Sequence, residues 1–461
     1  MKNQNTIPSS FRDPSGFLFL YNGELFRQIN NSYKDEYDFL KNSGLYEKLV
    51  QNKLLIQHKE VENVEISNDK KCYKIIKPEK INFISYPYEW SFTQFKQAAL
   101  TTLKIQKIAF EYGMTLKDAS AYNVQFLEGK PIFIDTLSFE KYHEGQIWKP
   151  YRQFCQHFLA PLALISNKDI RLNQLLRIYI DGIPLDLTSD LLGKGSRFSF
   201  SLLSHIHLHA KSQKHYENKQ VKTKEKKIGK NSFIGLIESL YSGVEKMKWT
   251  PEKTEWGEYY SDTNYSEVSF NRKKEIISKV IDEIKPNNVW DLGANKGIFS
   301  RIASDKNIET ISFDIDPIAV EKNYLEVIEK NEKRILPLIL DLTNPSPGLG
   351  WENVERDSLI NRGPSDLVFA LALIHHLSIS NNLPFSKIVS FFKRICKNLI
   401  IEFVPKSDSQ VQRLLSTRED IFDEYNLTNF QNEFSKNFVI KNKIELEESK
   451  RIFFVMENKT I

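Results

Sequence analysis

The chain has 461 residues, 41% of them apolar and 27% charged, with a net charge of +5. That length allows two or three separate cores, and so small a positive balance does not argue for a nucleic-acid partner. Cys72, Cys155 and Cys396 are too few and too scattered for a disulfide framework or a metal spacing. The opening MKNQNTIPSS is polar, so no signal peptide is expected. The longest apolar runs, such as residues 158–165, are far shorter than a membrane span. The expectation is a cytoplasmic protein with no transmembrane segment.

In chain order, residues 17–21 and 24–29 flank Asn22-Gly23, which predicts a tight β-hairpin. Residues 34–51 read as helical, and 54–64 and 72–76 as strands. Tyr86-Pro87-Tyr88-Glu89-Trp90 interrupts the pattern. Residues 92–112 then place Phe95, Ala98, Leu103 and Ile105 near helical spacing. A short strand at 124–126, a Glu128-Gly129-Lys130 turn and a strand at 131–135 follow. Asp118, Asn123 and Asp135 stand in the order D-x4-N…D, which resembles the catalytic loop and metal-binding aspartate of the protein-kinase-like superfamily. The resemblance implies that Asp118 orients an acceptor hydroxyl while Asn123 and Asp135 hold magnesium. It also sets Arg27 where the phosphate-binding lysine is expected, and Glu36 where its helix partner sits. The pattern departs in several places. Asp13-Pro14-Ser15-Gly16 has one glycine, arginine replaces lysine, Leu116-Lys117 replaces His-Arg, and Thr136-Leu137 follows Asp135. The competing reading is a degenerate scaffold that docks an acceptor or a partner, since Asp and Asn are also common in ordinary turns.

Residues 151–165 read as a buried helix, with His157 as a core histidine. His205, His207 and His209 admit a metal reading, against a plain polar face. Residues 211–230 hold eight lysines against two glutamates, which describes a solvated connection or an electrostatic contact site. This divides the chain into an α+β domain (residues 1–210), a lysine-rich linker (211–231) and a C-terminal domain (232–461).

The C-terminal domain opens with a helical stretch at 232–248. The aromatic segment from Trp256 to Tyr265 is either a lid over a ligand or simple packing. A helix is expected at 270–284. The strand at 288–292 runs into Asp291-Leu292-Gly293-Ala294-Asn295-Lys296-Gly297, a D-x-G-x-x-x-G turn that opens a helix. Such a turn lets backbone approach a ligand at free helix N–H groups. The next strand, 310–315, carries Asp314. A third, 335–340, runs into Asp341-Leu342. Strands at 366–373 and 398–404 follow, and the last two, 438–446 and 451–456, have no helix between them. This set resembles the class I S-adenosylmethionine (SAM)-dependent methyltransferases. The resemblance implies a seven-stranded Rossmann-like α/β domain with SAM as cofactor. Asp291, Gly293, Ala294, Asn295 and Gly297 would line its amino-acid end. Asp314 would accept both ribose hydroxyls. Asp341 would meet the adenine amino group, with Leu342 beside the ring. A dinucleotide site would want G-x-G-x-x-G, which is missing.

His375 and His376 follow the fourth strand and Glu402 ends the fifth, and these three are the catalytic candidates. Histidine can serve as general base, although methyl transfer also proceeds by proximity alone. No Asn-Pro-Pro-Tyr-type tetrad follows the fourth strand, which disfavours exocyclic-amine methylation of DNA, and no Pro-Cys nucleophile is present, which disfavours cytosine C5 chemistry; nucleic acid is not the expected partner. The wording at 84–90, 116–123, 370–377 and 402–406 resembles bacterial methyltransferases similar to host-specific nodulation proteins. That resemblance implies methyl transfer to an O or N of a polar small molecule or a glycan, such as a surface-polysaccharide component. Two alternatives stand beside it: a bifunctional protein with an ATP-dependent kinase-like N-terminal domain, and a SAM-binding regulatory protein without transfer activity.

Overall fold

The structure, a computed structural model, describes residues 4–61, 69–211, 227–250, 267–446 and 449–460. The Trp256–Tyr265 segment lies outside the described residues, as does most of the lysine-rich stretch. The chain forms two compact units. One is Met1–Thr250 with Gly348–Arg356, and the other is Pro251–Pro347 with Asp357–Ile461.

The first unit opens with β1 (Gln4–Thr6), β2 (Gly16–Tyr21) and β3 (Glu24–Asn30). The β2–β3 turn has Asn22 at φ 52° and Gly23 at φ 80°, the paired left-handed geometry that suits the twist of a hairpin. The helix expected over 34–51 is two helices, α1 (Lys34–Asn42) and α2 (Leu45–Gln51). Gly44, at φ 81°, turns the chain between them. Strands β4 (His58–Val61) and β5 (Cys72–Pro78) complete an antiparallel sheet in the order β1-β2-β3-β5-β4. Helix α3 (Phe92–Glu111) starts at a capping box, where Ser91 N–H donates to Gln94 Oε1 at 2.9 Å. Two small ladders follow. Strand β6 (Met114–Leu116) pairs with β9 (Phe139–Lys141), and β7 (Val124–Leu127) pairs with β8 (Lys130–Phe133). Trp90, fully buried, meets the rings of Phe95 and Phe126 edge-on and joins α3 to the β7–β8 hairpin.

Two segments belong to this unit against the expected boundaries. Helix α4 (Lys230–Lys246) buries Phe233, Ile237, Leu240 and Val244. Phe233 stacks on Phe110 of α3 with ring centroids 4.9 Å apart, and Lys96 donates to the carbonyls of Glu245 (2.7 Å) and Met247 (2.9 Å). Burial of that apolar stripe moves the boundary from the lysine run to Thr250. Residues 348–356 also pack here. Arg12 forms a two-pronged pair with Glu355 (2.6 and 2.9 Å), and the Arg356 guanidinium lies 4.4 Å from the Tyr122 ring centroid.

The second unit begins with α5 (Glu267–Ile284) and β10 (Asn288–Leu292). There follow α6 (Ile298–Ser304), β11 (Glu309–Asp314), α7 (Pro317–Lys330), β12 (Ile335–Ile339) and β13 (Ser365–Ala370). The unit closes with α8 (Phe385–Ile395), β14 (Cys396–Phe403), α9 (Ser409–Leu415), α10 (Leu427–Asn437), β15 (Phe438–Glu445) and β16 (Ile452–Asn458). Seven strands form one sheet in the order β12-β11-β10-β13-β14-β16-β15. The first five are parallel, and β16 runs antiparallel to both neighbours. The central strands are near-continuous apolar runs because helices cover both faces. On one face, Ile276, Ile277, Val280 and Ile281 of α5 pack on Val289, Leu367, Phe369, Ile400 and Phe453. Strand β13 ends three residues earlier than its apolar run suggests. The backbone turns at Ala372, where φ is 49°. No helix among the described residues is long and apolar enough to cross a membrane.

Candidate active site

The carboxyl ends of β10, β11 and β12 bring Gly293, Asp314 and Asp341 to one edge of the second unit, since neighbouring parallel strands in register end together. Gly293 (φ 80°) and Gly297 (φ 74°) bracket the turn, and Asn295 is also left-handed at φ 51°. The N–H groups of Gly293 and Ala294 both donate to the Phe313 carbonyl at 2.9 Å, tying the turn to β11. The two glycines serve different ends. A side chain at Gly297 would collide with Asn323, whose atoms would lie 2.5–2.9 Å from the added carbon. At Gly293 an added carbon would make only ordinary contact with Leu373 at 3.5 Å. Gly297 is therefore demanded by packing as well as by its φ, and Gly293 by its φ alone.

Asp291 is buried and accepts from Ser300 Oγ at 2.6 Å, which clips the turn to the first turn of α6. Burial raises its carboxyl to about 7, against the opposing pull of Ser300 and Lys273. Its side chain thus orients the loop. Asp314 accepts from Asn295 N–H at 2.7 Å and from Asp316 N–H at 2.8 Å, one on each oxygen. Burial lifts it to about 6 despite these donors and the Ile315 N–H, which also lowers it. A carboxylate offers about four acceptor sites, so the backbone donors do not exhaust it. Asp341, less buried, accepts from Thr343 N–H (2.8 Å) and Thr343 Oγ1 (2.6 Å) through one oxygen, with Leu342 half-buried beside it.

Beyond β13, the Ala372 N–H donates to Glu402 Oε2 at 2.8 Å. Glu402 is fully buried, Lys273 Nζ of α5 lies 2.8 Å from the same oxygen, and Arg451 is 3.6 Å from the other. Arg451 in turn forks onto Asp408 at 2.8 and 3.1 Å, while Asp408 caps α9. Glu402, one of the three catalytic candidates, is thus a carboxylate between two cations and an amide, and it braces the left-handed turn at Ala372. Lys273 and Arg451 carried no signal in the sequence, because neither lies in a motif and their partners are far along the chain.

His375 is also fully buried, and neither ring nitrogen has a hydrogen-bond partner among the described residues. Burial, with His376 and Arg451 adding to it, keeps the ring well below the usual imidazole range and hence neutral. The His376 ring lies against it at a 40° tilt with centroids 4.1 Å apart, and burial holds it down to about 4. An imidazole left unpartnered in a core costs about 1–3 kcal/mol per group, so a polar atom without a partner here calls for a functional account.

In the first unit, Asp118, Asn123 and Asp135 lie near one another, and a cation pairs with one of them, Asp135. Arg27 pairs with Asp135, which also accepts from Ser138 Oγ and Leu137 N–H. Burial would raise the Asp135 carboxyl; Arg27, Ser138 and the Leu137 N–H outweigh it and hold the group below its ordinary value. Asp118 is raised by burial and by Asp135, and it accepts from Ser120 N–H at 2.9 Å. Asn123 donates to Ser138 at 3.3 Å. Glu36 does not meet Arg27; it accepts from the Lys141 N–H at 2.6 Å. Among the described residues, no group of three or more His, Cys, Asp and Glu is arranged to hold a metal ion. In the histidine tract, His205 and His207 are satisfied on both ring nitrogens, while His209 Nδ1 is buried without a hydrogen-bond partner among the described residues. His205 lies between Tyr151 (2.8 Å) and Ser239 (2.9 Å), and His207 between Ser189 and Ser196, both at 2.8 Å. Magnesium and ATP are therefore expected to leave the melting temperature unchanged, because Arg27 neutralises the aspartate that a metal would need. A magnesium-dependent rise that vanishes in Asp135→Ala would reinstate the kinase reading.

Comparison with protein-family models finds no match. The nodulation protein NoeA of Rhizobium meliloti (strain 1021) is 34% identical over 459 residues, covering 98% of this chain and 96% of that protein. The chain belongs to the NoeA family. Solved structures similar to this NoeA relative include WbdD, at 16% identity and TM-score 0.31, covering 44% of this chain and 42% of WbdD. Magnesium protoporphyrin IX methyltransferase from Synechocystis PCC 6803, with bound S-adenosylhomocysteine, matches at 14% identity and TM-score 0.31 over 44% and 93% of the two chains. A SAM-dependent methyltransferase from Aquifex aeolicus matches at 16% and 0.30 over 44% and 98%.

Proposed function

We propose that this NoeA-family protein is a SAM-dependent methyltransferase acting on an O or N of a polar acceptor, with a glycan or surface-polysaccharide component as the favoured class. The observation that carries the reading is the strand order β12-β11-β10-β13-β14-β16-β15, with Gly293, Asp314 and Asp341 at the carboxyl ends of three adjacent strands. An open α/β sheet binds its ligand at the carboxyl edge where strand order reverses, here between β10 and β13. SAM, when bound, supplies an activated methyl group. Gly293 to Gly297 would meet its amino-acid end, Asp314 its ribose, and Asp341 with Leu342 its adenine. Transfer then needs an acceptor held in line and, for a hydroxyl, a base. His375, beyond β13 with both ring nitrogens unpartnered among the described residues, is the candidate for that base; its ring is neutral and so able to take a proton, though burial makes it a weak base. His376 and Glu402 shape and support the same turn.

The first unit is read as a degenerate kinase-like scaffold that docks the acceptor, because Arg27 pairs with Asp135, the aspartate that a metal would need. The protein is placed in the cytoplasm.

The deciding experiment is transfer of labelled methyl from SAM into a fractionated extract of the producing cell, which would identify the acceptor class. Label in no fraction, with SAM still bound, would favour a SAM-binding regulator instead. With a labelled fraction in hand, His375→Gln is expected to slow transfer by about 10²-fold or more, the scale of a lost general base. SAM affinity should be unchanged. An unaltered rate would mean that proximity alone drives the step.

A further inference from the structure

Residues 193–211 of the first unit take no part in the site described above, and they expose an unusual pair of side chains. Phe198 is 95% and Phe200 76% exposed. Lys194 and Arg197 beside them in the chain are exposed as well. The phenylalanines are not on a loose loop. Buried Ser196 donates its hydroxyl to the Gly193 carbonyl at 2.7 Å and bonds His207 Nε2 at 2.8 Å. His207 Nδ1 is 2.8 Å from Ser189 Oγ. The histidine that invited a metal reading instead pins the short helix Lys194–Phe198 from beneath, so Phe198 is held outward. The helical stretch that begins at Phe200 leads directly into residues 211–230, where eight lysines face two glutamates.

Two exposed aromatic rings set among basic side chains have the composition of an interfacial anchor. The rings gain by entering the headgroup–acyl boundary, and the cations gain from acidic headgroups, each signal being weak alone. A neutral protein surface would reward the rings and leave the cations unused. We propose that this face docks peripherally on an anionic lipid bilayer, with Phe198 and Phe200 entering the boundary and Lys194 and Arg197 meeting lipid phosphates.

The test is co-sedimentation of the full-length protein with phosphatidylcholine vesicles, with and without phosphatidylglycerol. Binding is expected only with phosphatidylglycerol and should fall as salt is raised. Phe198→Ser with Phe200→Ser is expected to weaken partitioning at least about tenfold, since each buried ring is worth a factor of that order. Arg197→Gln should weaken it several-fold. An unchanged circular dichroism spectrum would show that these surface variants fold. The proposal is overturned if wild type ignores the acidic vesicles, if pure phosphatidylcholine binds equally well, or if the double variant binds like wild type. It is also overturned if wild type runs as a dimer that the double variant splits, with no vesicle uptake by either.

Discussion

Asp314→Ala is expected to weaken SAM and S-adenosylhomocysteine binding at least a hundredfold, by isothermal calorimetry. Each hydrogen bond to a charged group contributes about 1.5–3 kcal/mol, so losing two costs about 3 kcal/mol or more, and about 1.4 kcal/mol is a factor of ten. The same residue gives affinity a pH dependence whose sign follows from its environment. Burial raises the Asp314 carboxyl to about 6. In the proposed site ribose hydroxyls would donate to the carboxylate, so the competent form would be the ionised one. Affinity should hold steady above that value and fall as pH drops through about 6, approaching tenfold per pH unit below it. Asp314→Asn should flatten this profile while binding more weakly throughout. A wild-type profile that stays flat down to the ordinary carboxylate range, or full affinity in the alanine variant, would remove Asp314 from the cofactor site and with it the main support for the methyltransferase reading.

The second large effect is on stability. Lys273→Met is expected to destabilise the second unit by about 3–5 kcal/mol, because it strands a buried charge. Lys273 is 2% and Glu402 0% exposed at the side chain, and their closest atoms are 2.8 Å apart. Removing the lysine takes from buried Glu402 its close cationic partner, with Arg451 farther off at 3.6 Å, and so weakens what offsets the loss of water around a carboxylate. Glu402 would then either protonate or pull the Ala372 turn out of shape. The double change Lys273→Met with Glu402→Leu should recover most of the loss, since replacing both members of a buried pair by apolar groups is often neutral. Urea denaturation, followed by hydrogen exchange of β13 and β14, measures this separately from the first unit, which a single global transition would blur. Equal stability of Lys273→Met and wild type would mean that the pair is open to water. The double variant should still bind SAM through Asp314, yet transfer poorly, because the turn that leads to His375 has lost its anchor.

What the sequence determined by itself was local. Asn22-Gly23 specified its hairpin because two left-handed residues in a row admit few alternatives. The strands of the second unit were legible because each parallel strand is an unbroken apolar run bounded by turn residues, and their ends placed Gly293, Asp314 and Asp341 before any contact was known. What only the tertiary structure decided was allegiance and pairing. The apolar stripe of residues 230–246 says that the helix is buried, but not against what; α3 settles it. Glu355 gives no hint in the sequence that it holds Arg12, 343 residues away. Glu402 stands at a strand end in the sequence, but nothing there says that Lys273, 129 residues earlier, pairs with it. The histidine tract and the Asp118–Asp135 pattern likewise keep their chemistry open in the sequence. Partners drawn from distant segments, Ser189 for His207, Ser239 for His205 and Arg27 for Asp135, are what turn candidate ligands into satisfied groups. The physical reason is that period and turn chemistry act over a few residues, whereas a buried charge or ring nitrogen must be satisfied by whatever the fold brings within about 3 Å.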